Sequence, residues 1–157
     1  MNDSELQQSE HVLDGVTDEW LDSHLATVFS KAHRYLEGFH TSTTELVIST
    51  ARIQPGYRVV DVGCGAGIPA LTIAERVGPE GRVTATDPSP IFLDAIQENA
   101  RKRGLTNMDF ALSSAAGLPF ERESFDAATS HMGAMFFEDL QAGLTRMREV
   151  LCPGGRA

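Results

Sequence analysis

Residues 59–67 read Val-Val-Asp-Val-Gly-Cys-Gly-Ala-Gly, and no other stretch constrains the fold of this chain as tightly. The run over 57–62 (YRVVDV) is apolar and β-branched without clean alternation. That suits a strand buried on both faces of a parallel sheet. It ends directly in Gly63, Gly65 and Gly67. Alternate glycines let a backbone turn tightly and let a ligand lie against it with no Cβ in the way. A plain strand-to-helix turn would need one glycine, so three in five residues indicate a ligand loop that opens a helix.

The pattern on either side alternates strand and helix. Trp20, Leu21, Leu25, Val28 and Phe29, then Leu46, Val47, Thr50 and Ile53, recur at three- and four-residue spacing, and Pro55-Gly56 stops that helical stretch. Residues 69–77 read as a helix and 82–86 as a second strand. The next helix starts with Ser89 as N-cap and Pro90 at its first position, and Gly104 ends it. Residues 108–112 and 125–130 give a third and a fourth strand. Residues 140–151 give a helix with Leu144, Met147, Val150 and Leu151 on one side. This alternation implies right-handed βαβ units in an α/β, Rossmann-like, doubly wound sheet. Such sheets bind ligands at the carboxyl ends of their strands. The expected organisation is a flexible N-terminus over 1–17, N-terminal helices covering the cofactor site over 18–54, and a core over 55–157.

Charge narrows the partners. Thirteen basic residues against 22 acidic give a net charge of −9. Nucleic-acid binding draws on phosphate neutralisation by a basic face. The one basic cluster, Arg101-Lys102-Arg103, ends a helix, where cations suit the helix dipole. A small-molecule substrate is therefore expected, and no nucleic acid. No apolar run approaches the roughly 18 residues of a membrane span. The acidic, polar N-terminus does not read as a secretory signal. Cys64 and Cys152 are far apart and outside any CxxC or Cys/His arrangement. They imply reduced thiols, a cytoplasmic location and no metal.

Spacing discriminates among ligands for the glycine loop. The dinucleotide fingerprint is GxGxxG, whereas this loop is GxGxG with Ile68 in the next position. The GK[ST] of a phosphate P-loop is absent. Asp87 closes the second strand, 20 residues after Gly67. A carboxylate there can accept hydrogen bonds from both ribose hydroxyls. Read alone, it could equally be a turn aspartate before Pro88.

The sequence resembles the class I S-adenosyl-L-methionine (SAM)-dependent methyltransferases, in the small-molecule branch similar to ubiquinone/menaquinone-type enzymes. Four segments carry the resemblance. They are Asp61-Val62-Gly63-Cys64-Gly65-Ala66-Gly67, Thr86-Asp87, Leu118-Pro119-Phe120 with Ser124-Phe125-Asp126, and Arg148-Glu149-Val150-Leu151-Cys152-Pro153-Gly154-Gly155. The resemblance implies SAM as cofactor, with S-adenosyl-L-homocysteine as product. Gly63, Cys64, Gly65 and Gly67 would line the cofactor, and Asp61 would hold the loop or an amino group. Asp87 would take the ribose hydroxyls, and Pro88 with Ser89 would border the adenine. Ser114 stands where the family often has an acid facing the adenine amino group. It reads either as a shorter, uncharged partner or as a loop hydroxyl, with the Ala115 amide available beside it. Met132 would pack near the cofactor. His131 would be a general base, because a free imidazole titrates near neutrality, or simply a structural histidine.

The resemblance also implies methyl transfer to a small apolar, phenolic or quinol-like acceptor, C- or O-directed. In-line displacement at a sulfonium methyl has an excellent leaving group, so positioning can supply much of the catalysis. The absence of a dyad or triad is therefore no argument against an enzyme. Ser130-His131-Met132-Gly133 is not the (N/D/S)PP(Y/F) run of amino-methyltransferases acting on nucleic acid. Two cysteines are too few for an arsenite enzyme, and the carboxylates do not cluster as a magnesium enzyme needs. The other readings are a SAM-binding but non-catalytic or partner-requiring half-domain, and a nicotinamide-dependent oxidoreductase. Because the chain stops at Gly154-Gly155-Arg156-Ala157, the sheet is expected to have four strands in the order 3-2-1-4, with strands 5–7 missing. Strand four would then be an open edge suited to a second copy or a partner chain.

Overall fold

The structure is a computed structural model and describes residues 23–157. The segment expected over 1–17 and the first residues of the following helical stretch lie outside the described residues.

Helix α1 runs Ser23–Thr50 without a break. Its buried residues Ala26, His33, Thr44 and Ile48 fall on one stripe, the pattern of a surface helix with one face on a core. β1 (Arg58–Val62) leads through the glycine loop to α2 (Ala70–Val77). β2 (Arg82–Asp87), α3 (Pro90–Lys102) and β3 (Met108–Leu112) follow. β4 (Phe125–Thr129) continues into a 3-10 turn (Ala134–Phe136), α4 (Leu140–Glu149) and β5 (Leu151–Arg156).

The sheet is wholly parallel, in the order β3-β2-β1-β4-β5. β1 lies at its centre, between β2 and β4, which explains its unbroken apolar sequence. Strand parity divides the core. Val59, Val83, Ala85 and Ala127 pack with Ile48, Leu71, Ile73 and Ile96 on the face of α1, α2 and α3. Val60, Val62 and Ala128 pack with Leu118, Met147 and Val150 on the face of α4. The C-terminal part of α1 thus belongs to the same core as the strands. Ion pairs between Glu45 and Arg76, and from Arg103 to Glu37 and Glu75, tie α1 to the layer beneath it.

The four-strand expectation is corrected by β5. It pairs Phe125 with Leu151 and Ala127 with Arg156, with a register shift between them, so β4 is an interior strand and not an open edge. Leu-Cys-Pro-Gly-Gly-Arg has no β-branched residue, and its propensity argues for a turn. The pairing is made by position: α4 ends at Glu149 and delivers the chain beside β4. A Cβ on Gly155 would lie 2.9 Å from the Cys152 carbonyl oxygen and 3.1 Å from that of Asp126. A glycine is what allows this close backbone approach. α4 is also shorter than the expected 140–151. Leu144 is exposed, and the inward face is built on Gly143, Met147 and Val150.

Candidate functional site

The carboxyl ends of β1, β2 and β4 converge on one cleft of about 400 Å³. One wall comes from the turn after β1. The amides of Gly63 and Cys64 both donate to the Thr86 carbonyl, at 2.8 and 2.9 Å, so the loop starts by capping the neighbouring strand. Asn99 of α3 donates its side-chain amide to the Ala66 carbonyl at 3.0 Å and fixes the far side of the loop.

The glycines serve different purposes. At Gly67 (φ 116°) a Cβ would lie 2.6 Å from Leu71 Cδ1, so this residue allows the loop to pack on α2. It is not among the residues lining the cleft. Gly65 does line the cleft, and a Cβ there would meet no protein atom within 4 Å. Gly63 also lines it and lies close to Gly133, whose own Cβ would be 3.0 Å from the Val62 carbonyl oxygen. The loops after β1 and β4 therefore touch backbone to backbone beneath the cleft.

Asp87 links strand and loop. Its Oδ2 accepts from the Gly65 amide and its Oδ1 from the Ser89 amide, both at 2.9 Å. Burial pushes its carboxyl up to about 6, against the pull of the Ser89 and Gly65 amides. The carboxylate also faces the cleft, beside Pro88. Ser89 is the N-cap of α3 by position, but its hydroxyl makes no cap bond and is buried without a partner.

Asp61 sits deeper. Thr129 donates its hydroxyl to Asp61 Oδ1 at 2.6 Å, while Oδ2 is buried with no partner. Burial pushes this carboxyl up to about 7, Thr129 opposes the shift, and the charge of Asp87 adds to it. Asp61 does not line the cleft but lies below its floor. Cys64 does line it, and burial pushes its thiol well above the usual range, so it stays protonated.

Ser113, Ser114, Ala115 and Ala116 form the wall beyond β3. The Ser114 hydroxyl accepts from the Gly117 amide at 3.2 Å, which leaves its own proton for a further acceptor. Arg146 of α4 donates to the Leu118 carbonyl (2.8 Å from Nη2) and to that of Phe120 (2.5 Å), anchoring this wall.

The loop after β4 brings His131, Met132 and Gly133 to the cleft. Met132 adopts φ 62° and is half exposed. His131 Nε2 lies 3.0 Å from Thr43 Oγ1, and its ring meets that of His40 edge-on at 5.1 Å. Burial, then the neighbouring His40, pushes His131 below the usual imidazole range, so it is neutral at pH 7.

The opposite wall comes from the helical stretch expected to cover the site, although the sequence singled out none of its cleft-facing residues as such. Phe29, His33, Leu36 and His40 of α1 line the cleft, and Met135, Phe136 and Phe137 close it from the 3-10 turn. The four α1 residues follow helical spacing, so the stripe itself was readable. What was not readable is where along the helix the stripe passes from the cleft, at Phe29 to His40, to the core, at Ile48.

A family profile described as "Methyltransferase domain" matches residues 59–155. The ubiquinone/menaquinone biosynthesis C-methyltransferase UbiE of Stenotrophomonas maltophilia is 36% identical over 121 residues, covering 76% of this chain and 48% of that protein. A nocamycin O-methyltransferase of Saccharothrix syringae is 39% identical over 103 residues, covering 66% of this chain and 37% of that one. Among solved structures, the [4+2]-cyclase SpnF matches with TM-score 0.67 and 31% identity over 73% of this chain and 42% of that one. The chain spans about half the length, or less, of the curated relatives it matches.

Proposed function

Because the chain belongs to the class I SAM-dependent methyltransferase family, we propose that its cleft holds SAM against the glycine loop and presents the methyl group to a small apolar acceptor, phenolic or quinol-like, for C- or O-methylation. One observation carries this reading. A strand-end glycine loop, tied through its Gly65 amide to the Asp87 carboxylate, opens onto the same cleft as an apolar wall from α1 and the 3-10 turn.

The residues fit the cofactor. Gly65 leaves open space where any other residue would place a Cβ. Each Asp87 oxygen accepts one amide and keeps a lone pair toward the cleft for ribose hydroxyls. Pro88, Ser114 and Ala115 would border the adenine, with the Ser114 proton and the Ala115 amide as donors. Two buried carboxyls, Asp61 and Asp87, bias the loop toward a cationic ligand. Gly67 and Asp61 act at one remove, by packing the loop and by charge beneath it. Cys64 and Met132 would contribute apolar contact.

Bound SAM supplies a sulfonium-activated methyl group. The chain's part is to exclude water, orient the acceptor and hold its proton. The side chains of Phe29, Leu36, Met135 and Phe136 make the acceptor end apolar. His131, neutral and in the cleft, can take the proton of a phenolic hydroxyl as the new bond forms. We place the protein in the cytoplasm on its two free thiols, Cys64 and Cys152. Among the described residues, no helix is long and apolar enough to cross a membrane.

Calorimetric titration with S-adenosylhomocysteine and with NADH tests the cofactor. Binding of the first and not the second is expected, and the reverse would sink the reading. Methyl transfer from labelled SAM to a panel of quinols and phenols tests the reaction. It matters because SpnF, a [4+2]-cyclase, shares the fold.

A further inference from the structure

Among the buried polar groups that the proposed methyl transfer does not use, one imidazole lines the cleft. His33 lines the cleft from α1, only 7% exposed, and among the described residues neither Nδ1 nor Nε2 has a hydrogen-bond partner. Buried polar atoms in folded proteins are almost always satisfied. An imidazole unpartnered at both nitrogens and facing a cleft is therefore a group awaiting a ligand.

Its surroundings define that ligand. Phe29 precedes it by one helical turn and Leu36 follows by one, both on the same wall. Burial pushes His33 below the usual imidazole range. Glu37 opposes this and Arg103 adds to it, so the ring is neutral at pH 7. A neutral imidazole offers one donor and one acceptor. A carboxylate or an ammonium would bring an unpaired charge beside an apolar wall, because the nearby Glu37 and Arg103 already pair with each other. A hydroxyl both donates and accepts, so it satisfies whichever nitrogen faces it.

Taking the cleft to be the SAM and acceptor site proposed above, we infer that His33 is the specificity-determining group of its acceptor end, binding an un-ionised phenolic or enolic hydroxyl on an otherwise apolar molecule. His33 sits two helical turns from His40, roughly 10 Å along the axis, and His40 meets His131. The hydroxyl bound by His33 is therefore distinct from the one His131 would deprotonate.

The test uses the 157-residue chain saturated with S-adenosylhomocysteine, with 1-naphthol and 1-methoxynaphthalene as probes. The unmodified chain should bind 1-naphthol about tenfold tighter than the ether, the effect of one hydrogen bond in a dry site. In His33→Phe that preference should vanish while S-adenosylhomocysteine affinity stays within twofold. His33→Gln keeps a donor and an acceptor and should restore part of it. A preference that survives His33→Phe overturns the inference. Should His33→Phe fail to fold, the ring 15N resonances of His33 in the unmodified chain decide. A larger shift with 1-naphthol than with the ether supports the inference, and equal shifts overturn it. No S-adenosylhomocysteine binding would refute the cleft reading itself. Binding of it without a naphthol preference refutes only the role of His33.

Discussion

Asp61→Asn should remove a pH-dependent destabilisation that the unmodified chain carries. The Asp61 carboxyl titrates at about 7 in the fold, against 3.8 as its ordinary value. Below pH 4 it is protonated in both folded and unfolded chains and has no effect on stability. Between pH 4 and 7 the unfolded chain ionises while the folded chain keeps the proton. Unfolding then releases a proton, so stability falls as pH rises. The interval is about three pH units at roughly 1.4 kcal/mol each, about 4 kcal/mol lost by pH 7 and nothing further above it. Asparagine has no such titration. Its carbonyl oxygen can still accept from Thr129, but its Nδ2 would occupy the unpartnered Oδ2 position. That leaves buried donors unmet at a cost of about 1–3 kcal/mol, which does not vary with pH. It moves the whole difference curve without changing its slope. Urea denaturation of both chains from pH 4 to 8 measures it. Stability of Asp61→Asn minus that of the unmodified chain should climb by about 4 kcal/mol to pH 7 and then level. Subtraction largely cancels Asp87 and the buried histidines, which both chains share. A flat or falling difference curve would show that Asp61 ionises normally, through water or an unforeseen partner, and would refute the argument that its burial biases the site toward a cation.

Asp87→Ala should weaken SAM binding by about 1–3 kcal/mol, because ribose hydroxyls lose a charged acceptor and the Gly65 and Ser89 amides lose theirs; calorimetry reads it. Gly67→Ala should destabilise the fold by at least about 2 kcal/mol, since its Cβ would lie 2.6 Å from Leu71 Cδ1 at a φ of 116°, and denaturation midpoints measure it. His131→Ala should lower turnover of a phenolic acceptor about 100-fold or more while S-adenosylhomocysteine affinity holds. Because burial keeps His131 neutral below the usual imidazole range, turnover in the unmodified chain should persist below pH 6.5, as a pH–rate profile would show.

The parts of the fold that were legible in the sequence are those governed by local chemistry. β1 announces itself because a central parallel strand must be apolar on both faces. β3 falls over 108–112 as expected. The start of α3 is marked by Ser89-Pro90, although the Ser89 hydroxyl makes no cap bond and the Ser89 amide instead donates to the Asp87 carboxylate. β5 was missed because nothing local makes Leu-Cys-Pro-Gly-Gly-Arg extended. Only the end of α4 and the bulged edge of β4 do so. The sequence groups Gly67 with the cleft-lining glycines because it reports that a glycine is needed, not which side of the backbone is crowded. Here the crowding comes from Leu71, inside the protein.

The same division runs through the cleft and explains why its two ends differ in legibility. The end proposed for the nucleoside is built from residues close to a strand terminus: Gly63 and Gly65 after β1, Asp87 closing β2, Ser114 just beyond β3. Each is fixed by the strand it follows, so spacing along the chain encodes position in space. The end proposed for the acceptor is assembled from α1 and the segment after β4, some 90 residues apart in the chain, which meet where His131 reaches Thr43 and His40. No motif spans that distance. What the sequence does carry is a residue out of character with its neighbours: a histidine on the inward stripe of α1, where periodicity calls for an apolar side chain. His33 is the one inward position of that stripe whose ring nitrogens are left without partners. The stripe needs an apolar residue there for packing alone. Specificity for the acceptor is the physical reason to keep an imidazole in that position.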